Sequence, residues 1–538
     1  MRNAVLGLAV AFAASMPPHI FFVIVDDFGW AEVGYHRDEA QKADLATPAI
    51  DALVAEGVEL NRHYVHMMCT PSRASFQSGR LPAHVLTQLA GPCDKNGAIP
   101  RNMTGIAQVL KRGGYQTHQV GKWDAGMATP THTPKGRGYD TSLSYFSHGN
   151  WMYSEAEWGG SYNNRPDIPP PSEGIIDFWD TDKPASHLNG TGYEEYIFRD
   201  RMLKILAEHD QAKPLFLQYD SKLCHYPLQA PQEYQDRFAH IATDNRRVYH
   251  AMVAFLDDQL ANITGTMKQL GMWENTLMVL SSDNGGFVKS FSGACNTTTP
   301  AGGWPASDST DWGHGTACDN GEAGANNWPL RGGKYSNFEG GIRVNAFASG
   351  GALPQVVRGT QLNGTIHIAD WYRTLAHLAG QDPTDTVAAA SGLPPVDSLD
   401  VWPMLSGVNM TSPRENVGII VTKELLVLGN WKYALPGTKM IESQWGGPAY
   451  PNASTATDPI SEHSFNCPPT GCLFNVATDP QERNECSAQN PRVTTAMKAE
   501  LQKQAATIWS VSHKNDPACK IAAHKLWGGF YGPWLELE

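Results

Sequence analysis

The stretch His19-Ile-Phe-Phe-Val-Ile-Val25, followed directly by Asp26-Asp27, decides the fold class of this chain. An uninterrupted apolar run of this length is typical of a strand that is buried on both faces of a mostly parallel sheet. Two further runs, residues 214–219 and residues 276–280, also end abruptly in polar residues. Each of the three runs therefore predicts a buried strand that delivers polar side chains at its carboxyl end.

Helical patterns lie between the predicted strands, at residues 47–56, 105–112, 194–208 and 246–270. Alternating strands and helices predict an α/β fold in which a large, mostly parallel sheet lies between layers of helices. Ligands of such sheets bind beyond the carboxyl ends of the strands, where the polar residues of this chain fall.

The last quarter of the chain has a different pattern. Residues 417–421 and 425–435 predict a hairpin around Gly429-Asn430, and residues 494–509 predict a helix. We therefore predict a large α/β domain over residues 16–410 and a smaller α+β domain with an antiparallel sheet over residues 411–538.

Length and composition exclude several classes of protein. The chain has 538 residues, of which 18% are charged, and its formal net charge is −13. This composition is that of a globular protein and not of a disordered one. A strongly acidic chain is also a poor partner for nucleic acid, because phosphate binding needs a basic field.

The N-terminus predicts export. Arg2, the apolar run over residues 4–14 and the sequence Ala11-Phe12-Ala13 match a secretory signal over residues 1–15, although a short buried helix is the alternative. No other segment reaches 18 consecutive apolar residues, so no membrane span is expected. We expect a secreted protein or one of a lysosome-like compartment. Seven glycosylation sequons agree with this: Asn102, Asn189, Asn262, Asn296, Asn363, Asn409 and Asn452.

The cysteine count is odd, which leaves one thiol unpaired in an exported chain. The eight others could form four disulfides, and proximity in the chain predicts the pairs Cys295–Cys318 and Cys467–Cys472. The nine cysteines are Cys69, Cys93, Cys224, Cys295, Cys318, Cys467, Cys472, Cys486 and Cys519.

Two pairs of oxygen-bearing side chains, Asp26-Asp27 and Asp283-Asn284, follow buried strands. Carboxylate and amide oxygens suit Ca²⁺ or Mg²⁺ far better than zinc. Either pair alone could be a helix cap or a solvated turn. Two such pairs at neighbouring strand ends favour a metal site.

The segment Cys69-Thr-Pro-Ser-Arg73, followed by Ser78-Gly-Arg80, is the most specific motif of the chain. Pro71 predicts the start of a helix, and a helix N-terminus stabilises an anion nearby. Cys69 could therefore be a thiol of low pKa, or else one half of a disulfide.

This motif resembles the signature of the type I sulfatases. The resemblance implies that a formylglycine-generating enzyme oxidises Cys69 to Cα-formylglycine, an aldehyde that is hydrated to a gem-diol. It also implies an alkaline-phosphatase-like α/β sandwich with a small C-terminal β domain. The modification accounts for the odd cysteine.

The resemblance extends over most of the chain, and its order and spacing are similar to sulfatases of the N-acetylgalactosamine-4-sulfatase type. The matching segments are Asp26-Asp-Phe-Gly-Trp30, Gly121-Lys-Trp123, His225-Tyr-Pro227, Ser282-Asp-Asn-Gly-Gly286, Asn327-Trp-Pro-Leu-Arg-Gly-Gly-Lys334 and Glu339-Gly-Gly-Ile-Arg343.

The resemblance also implies roles for individual residues. One Ca²⁺ ion would be bound by Asp26, Asp27, Asp283, Asn284 and an oxygen of the modified Cys69. The diol and the sulfate would be bound by Arg73, Lys122, His225 and Lys334, with His225 also protonating the leaving oxygen. One diol hydroxyl would attack sulfur, and deprotonation of the other would release sulfate.

One position departs from the family pattern. The family reads Gly-Lys-Trp-His, whereas this chain has Asp124 after Gly121-Lys-Trp123. Aspartate is a weaker base than histidine, so we expect slower release of sulfate or activity at more acidic pH.

Three functions follow from these observations. The first is hydrolysis of sulfate esters, with a sulfated small molecule or polysaccharide as substrate. The second is hydrolysis of phosphonate or phosphate esters, and the third is sulfoglycan binding without catalysis. Aromatic residues over 140–182 would suit sugar rings or packing: Trp151, Tyr153, Trp158 and Tyr162. Five histidines fall outside the family pattern and are interpreted as structural or of unknown role: His63, His66, His118, His148 and His314.

Overall fold

The computed structural model describes residues 16–37, 42, 44–157, 174–242, 244–288, 324–441, 445 and 464–536. The predicted signal sequence and the predicted disulfide Cys295–Cys318 lie outside these ranges. So do Trp158, Tyr162, Asn296, His314 and Asn452.

The strands, in chain order, are β1 (His19–Val25), β2 (Val58–Leu60), β3 (His63–Tyr64), β4 (Gln116–Lys122), β5 (Thr141–Tyr145), β6 (Trp179–Asp180), β7 (Lys183–Pro184), β8 (Leu215–Ser221), β9 (Thr276–Ser282), β10 (Ala346–Ser349), β11 (Thr360–Leu362), β12 (Ile366–His367), β13 (Ile419–Thr422), β14 (Leu425–Leu428), β15 (Trp431–Ala434), β16 (Lys439–Ile441), β17 (Ser464–Asn466) and β18 (Cys472–Asn475).

The α-helices are α1 (Pro48–Ala55), α2 (Cys69–Ser78), α3 (Pro82–Val85), α4 (Ile106–Arg112), α5 (Glu194–Glu208), α6 (Gln232–Asp236), α7 (Asp244–Gln269), α8 (Glu339–Ile342), α9 (Asp370–Leu378), α10 (Thr386–Ala390), α11 (Trp402–Leu405), α12 (Pro491–Ala505) and α13 (Ala518–Trp527). Short 3₁₀ helices cover Gly34–His36, Pro130–His132, Trp273–Asn275 and Gln355–Val357.

A large sheet has the strand order β11-β2-β10-β9-β1-β8-β4-β5-β6-β7. Its centre, β9-β1-β8-β4-β5, is parallel throughout, while β10, β6 and β7 add antiparallel pairings. The three strands predicted from apolar runs are β1, β8 and β9, which are adjacent. Their carboxyl ends therefore meet at one edge of the sheet.

Helices cover both faces of this sheet, as the apolar strands require. Alternate side chains of β1 enter two different cores: Ile20 and Phe22 pack with α2, α4 and α9, whereas Phe21 and Val23 pack with α1, α5 and α7. The expected α/β sandwich is confirmed.

A separate antiparallel sheet, β13-β14-β15-β18, lies in the C-terminal part and packs against α12. The predicted hairpin is present, with β14 and β15 joined at Gly429 and Asn430. The predicted helix begins three residues earlier than expected, at Pro491, and ends at Ala505. The domain limits at residues 410 and 411 stay a prediction. Within the predicted second domain, α13 packs in the core of the large sheet and not against the small sheet.

The disulfides differ in part from the expectation. Cys467–Cys472 is present, as predicted. Cys93–Cys519, which closes a separation of 426 residues, was not predicted. Cys224 and Cys486 are free thiols, so the eight remaining cysteines do not form four disulfides.

Candidate active site

Neighbouring strands place the polar residues of the site at one edge of the large sheet. Val25 of β1 pairs with Ser221 of β8 and with Ser282 of β9, so the residues that follow these strands are adjacent. Asp26 and Asp283 are both completely buried there.

Cys69 begins α2 and is buried. Its Sγ and carboxylate oxygens of Asp26 and Asp283 all lie within 4.8 Å of one another. The interpretation of Cys69 as a thiol of low pKa is wrong, because burial raises the pKa of this thiol to about 12. An unmodified Cys69 would therefore be a poor nucleophile.

Arg73 lies one helical turn after Cys69 and bridges the carboxylates. Its Nε donates to Asp283 Oδ2 (2.9 Å), and its Nη1 donates to Asp220 Oδ1 (3.2 Å). Nη2 lies 3.8 Å from Asp26 Oδ2. Asp220, which follows the apolar run over residues 214–219, was not among the predicted site residues, and its contact with Arg73 makes it part of the site.

Two buried lysines each face one of the N-terminal aspartates. Lys122 Nζ donates to Asp26 Oδ2 (2.6 Å), and Lys334 Nζ lies 2.7 Å from Asp27 Oδ1. Burial alone would lower the pKa of each lysine, but the facing carboxylates raise both above the usual range. Both lysines are therefore charged.

His225 completes the cluster. Its Nε2 lies 3.9 Å from Asp27 Oδ2, and its Nδ1–H donates to the Tyr226 carbonyl (2.6 Å). Burial and the charge of Lys334 hold the pKa of this imidazole well below its usual range. The ring is thus neutral in the resting protein.

Two glycines allow these segments to approach. Gly121, immediately before Lys122, has φ +102°, and a Cβ there would lie 2.0 Å from the Asp220 carbonyl oxygen. A Cβ on Gly285 would lie 1.7 Å from the carbonyl oxygen of Gly340. The backbones after β9 and around α8 therefore contact each other directly, which places Lys334 near Asp27.

Asp124 has a neighbour that the sequence did not indicate. His148 Nδ1 lies 3.0 Å from Asp124 Oδ1, and Thr70 Oγ1 donates to Asp124 Oδ2 (3.0 Å). Burial alone would raise the pKa of Asp124, but His148 and Lys122 hold it below its usual range. His148 therefore belongs to the site, next to Cys69.

The oxygen atoms of the cluster fit a hard cation. Asp26 Oδ1 and Asn284 Oδ1 are buried and have no hydrogen-bond partner among the described residues. Asp27 and Asp283 add two further carboxylates beside them. Buried oxygens without partners are costly unless a ligand binds them, and this donor set is that of Ca²⁺ or Mg²⁺.

A charged network links the lysine-bearing loop to the small sheet. Glu339 at the start of α8 accepts from Tyr64 Oη (2.9 Å) and from Lys432 Nζ of β15 (3.1 Å). Lys432 also pairs with Glu482, whose carboxylate accepts from the backbone N–H of Glu339. The C-terminal part of the chain thus supports the site.

The sequence profile described as Sulfatase matches residues 18–381, which is most of the chain. This range includes the site residues from Asp26 to Lys334. The chain belongs to the sulfatase family.

Individual relatives agree with this assignment. Arylsulfatase J of Mus musculus is 31% identical over 98% of this chain and 82% of its own length. N-acetylgalactosamine-6-sulfatase of Mus musculus is 26% identical over 92% of this chain and 87% of its own length. The crystal structure of Ps i-CgsB in complex with k-i-k-neocarrahexaose covers 93% of this chain and 95% of that chain, with 23% identity and a TM-score of 0.70.

The family membership makes this chain a sulfuric ester hydrolase. Sulfatases generally use a formylglycine and a divalent metal ion. The fold agrees as well, since the solved relatives have the same alkaline-phosphatase-like sandwich. None of the helices within the described ranges has the length and apolar composition that a membrane span requires.

Proposed function

We propose that this sulfatase hydrolyses sulfate esters of carbohydrates, with Cys69 converted to formylglycine and one Ca²⁺ ion bound beside it. The observation that carries the proposal is the convergence of Cys69, Arg73, Lys122, His225 and Lys334 around the buried carboxylates. Few other reactions need an oxidisable cysteine, oxygen ligands for a cation and several fixed positive charges at one point.

The positive side chains fit the charge of the substrate. Arg73 and the two lysines carry fixed charges inside a buried cluster, where electrostatic interactions are strong. A sulfate group entering the cluster would be bound by Lys122 and Lys334, with Arg73 orienting residue 69. His225 Nε2 would then donate a proton to the oxygen of the leaving alcohol.

Asp26, Asp27, Asp283 and Asn284 would hold the cation. When bound, the ion would polarise the sulfate group and lower the cost of negative charge in the transition state. It would also satisfy the oxygens of Asp26 and Asn284 that have no other partner in the described residues. Lys122 and Lys334 would then turn from these aspartates to the substrate.

Two observations support a carbohydrate as the substrate. Relatives in sequence include N-acetylgalactosamine-6-sulfatases, and solved relatives include a complex with a neocarrahexaose and one with D-glucosamine-2-N,6-O-disulfate. In this chain, Trp151 and Tyr153 are 39% and 45% exposed, a few residues after His148. Exposed aromatic rings are suited to stack on sugar rings.

We also propose that the protein is exported, to the extracellular space or a lysosome-like compartment. The disulfides Cys93–Cys519 and Cys467–Cys472 support an oxidising compartment. Four sequon asparagines are exposed: Asn102, Asn262, Asn363 and Asn409. The Asn189 side chain instead donates to Ser154 and to Glu155.

The test is a mass spectrum of the tryptic peptide 63–73 from protein made with a formylglycine-generating enzyme, combined with activity assays. We expect an aldehyde at residue 69, hydrolysis of 4-nitrophenyl sulfate, and release of sulfate from sulfated N-acetylgalactosamine. Cys69→Ala should lose all turnover, whereas Cys486→Ser, which removes another free thiol, should keep it. Treatment with a chelator and addition of Ca²⁺ or Mg²⁺ identifies the ion.

Each contrary result has a distinct meaning. Faster hydrolysis of 4-nitrophenyl phosphate than of the sulfate would favour a phosphate or phosphonate esterase. Binding of sulfated glycans without any product, with Cys69 modified, would favour a binding protein. Activity that survives Cys69→Ala would overturn the proposed nucleophile.

A further inference from the structure

We propose that His148 is the base that releases sulfate from residue 69, and that Asp124 is the positioning residue that orients its imidazole. This inference rests on the proposed function, because it needs an aldehyde at residue 69. It replaces the expectation that Asp124 alone stands in for the histidine of the family pattern.

The first argument is geometric. A ring nitrogen of His148, a carboxylate oxygen of Asp124 and Cys69 Sγ all lie within 4.8 Å of one another. Asp124 Oδ2 is fixed by the hydroxyl of Thr70, the residue next to Cys69, while Oδ1 faces His148 Nδ1 at 3.0 Å. The carboxylate thus has one oxygen anchored and the other directed at the imidazole.

The second argument is the position of the proton. A carboxylate oxygen can only accept, and the Thr70 hydroxyl, 3.4 Å from His148 Nδ1, already gives its hydrogen to Asp124. A hydrogen on Nδ1 suits both neighbours and would leave the lone pair of the ring on Nε2. Orientation of an imidazole by a buried carboxylate is the arrangement of catalytic triads, in which the carboxylate also stabilises the protonated ring. Asp124 is completely buried, whereas the His148 side chain is 17% exposed, so only the histidine can return the proton to water.

The third argument comes from the sheet. Lys122 at the end of β4 pairs with Tyr145 at the end of β5. Asp124 and His148 lie two and three residues beyond these paired positions, so parallel neighbours bring them together at the same edge as Cys69. An imidazole is therefore present at the site even though the family position carries Asp124.

The step balances without any further reactant. After the alcohol has left, the hydroxyl of residue 69 gives its proton to His148. The electron pair of that O–H bond becomes the second bond of the aldehyde C=O. The bond between the same carbon and the sulfate oxygen breaks, and sulfate leaves with its electron pair. His148 then passes the proton to water.

The experiment measures the sulfated form of residue 69 as well as turnover. Modified full-length protein is mixed with 4-nitrophenyl sulfate, and the reaction is quenched. The mass of the tryptic peptide 63–73 is then measured by mass spectrometry. We expect His148→Ala to release one nitrophenol per modified site in a burst, then to turn over ~10²–10⁴-fold more slowly. Most of residue 69 should carry sulfate, while the thermal midpoint is unchanged.

A matched control and a rescue sharpen the test. His84 also pairs its Nδ1 with an aspartate, Asp397, at 2.8 Å, with side-chain exposures of 14% and 18%, so His84→Ala should behave as wild type. Asp124→Asn should accumulate sulfated residue 69 as His148→Ala does, because an amide reverses the tautomer. Asp124→His should restore turnover to His148→Ala, since φ is 46° at position 124 and histidine tolerates that conformation.

The outcomes separate the two proposals. Wild-type turnover in a modified His148→Ala protein, or loss of its burst together with turnover, would overturn the role of His148. Failure of Asp124→His to restore turnover would also contradict it. A wild-type protein without an aldehyde or without nitrophenol release would instead overturn the proposed function, and this inference with it.

Discussion

At the scale of single residues, His225 must gain a proton at Nε2 before it can act as an acid in this reaction. The resting ring is neutral, because burial and Lys334 lower its pKa well below the usual range. Its Nδ1–H is held by the Tyr226 carbonyl, so Nε2 is the atom that can gain a proton. A bound sulfate ester brings negative charge to the ring and raises its pKa. His225 would therefore become an acid only with substrate present.

The role of His225 as an acid can be tested by varying the leaving group of the substrate. We expect His225→Ala to slow hydrolysis of sugar sulfates by ~10²–10⁴-fold, because the departing alkoxide needs a proton. Nitrophenolate leaves without one, so 4-nitrophenyl sulfate should be affected less. The measurement is the slope of log kcat against leaving-group pKa for a series of aryl sulfates, which should steepen in the variant. His118→Ala, on the same strand as Lys122 but at the far end, is the control. Equal slopes in His225→Ala and wild type would contradict the assignment.

The site residues differ in how far the sequence could predict them. Asp26, Asp27 and Asp283 were predictable because they come within three residues of the end of an apolar run, and parallel strands share an edge. His148 was not, because its contact with Asp124 depends on β4 and β5 being neighbours. Strand order is fixed by packing across the whole sheet, and local patterns do not encode it. The raised pKa of Cys69 likewise depends on burial that only the fold supplies.

At the scale of elements, Gly121 sets the distance between β4 and β8. Its φ of +102° is strained for any residue with a side chain, and its Cβ would overlap the Asp220 carbonyl oxygen at 2.0 Å. Asp220 binds Arg73, and Lys122 follows Gly121, so a displaced strand would move both charges. The glycine is therefore needed for the site as well as for the sheet.

We expect Gly121→Ala to lower the free energy of unfolding by ~2–5 kcal/mol, from backbone strain and overlap together. Turnover should fall as well, because Lys122 and Arg73 lose their positions. Thermal unfolding and kcat measure the two effects. Gly114→Ala is the control, since Gly114 also has positive φ, +83°, but a Cβ added there would have no heavy atom within 4 Å. An equal loss in both variants would show that backbone conformation alone matters.

At the scale of the whole molecule, buried carboxyls make stability depend on pH. Burial raises the pKa of several of them to about 6 or 7: Asp177, Glu195, Asp220, Asp257, Asp283 and Glu482. Between pH ~4 and ~7 each of these six carboxyls therefore binds more protons in the native protein than in the unfolded chain, where carboxyls have ordinary pKa values. The contribution of each to stability falls as pH rises through this range. Buried histidines whose pKa is lowered, such as His63, His66 and His132, act in the opposite sense, so the effect of one carboxyl is measured by replacing it.

Glu195 provides a test away from the proposed metal ligands. Its pKa rises from 4.5 to about 7, because burial outweighs its hydrogen bonds from Tyr219, Ser221 and Lys222. Glu195 should lower the free energy of unfolding of the wild type by up to about 3 kcal/mol between pH 4.5 and 7, and we expect Glu195→Gln to remove this contribution. Denaturant unfolding at a series of pH values measures it. Glu208→Gln, whose side chain is 69% exposed, is the control. Parallel pH profiles for Glu195→Gln and wild type would refute the prediction.

The disulfide Cys93–Cys519 joins the end of the chain to the large sheet. It closes a separation of 426 residues, and α13 places Cys519 in the same core as α4 and α9. The sequence could not predict this pair, because nothing local relates two cysteines so far apart. Beyond α13, the Tyr531 backbone N–H donates to the Ile176 carbonyl (2.8 Å), so the terminal segment has a second attachment.

Replacing both cysteines by alanine should lower the free energy of unfolding by ~2–5 kcal/mol. The reason is that the unfolded chain gains conformational entropy without the disulfide, and this gain is larger for a longer loop. The Cys467–Cys472 pair closes a separation of only 5 residues, so the same change there should cost less. Hydrogen exchange should locate the first effect in residues 518–534, because noncovalent contacts, such as the backbone hydrogen bonds of Tyr531 to Ile176 and of Trp534 to Ala128, are then left to hold them. Faster exchange confined to the small sheet would contradict this, and would mean that the terminal segment is held by its apolar packing and not by the disulfide.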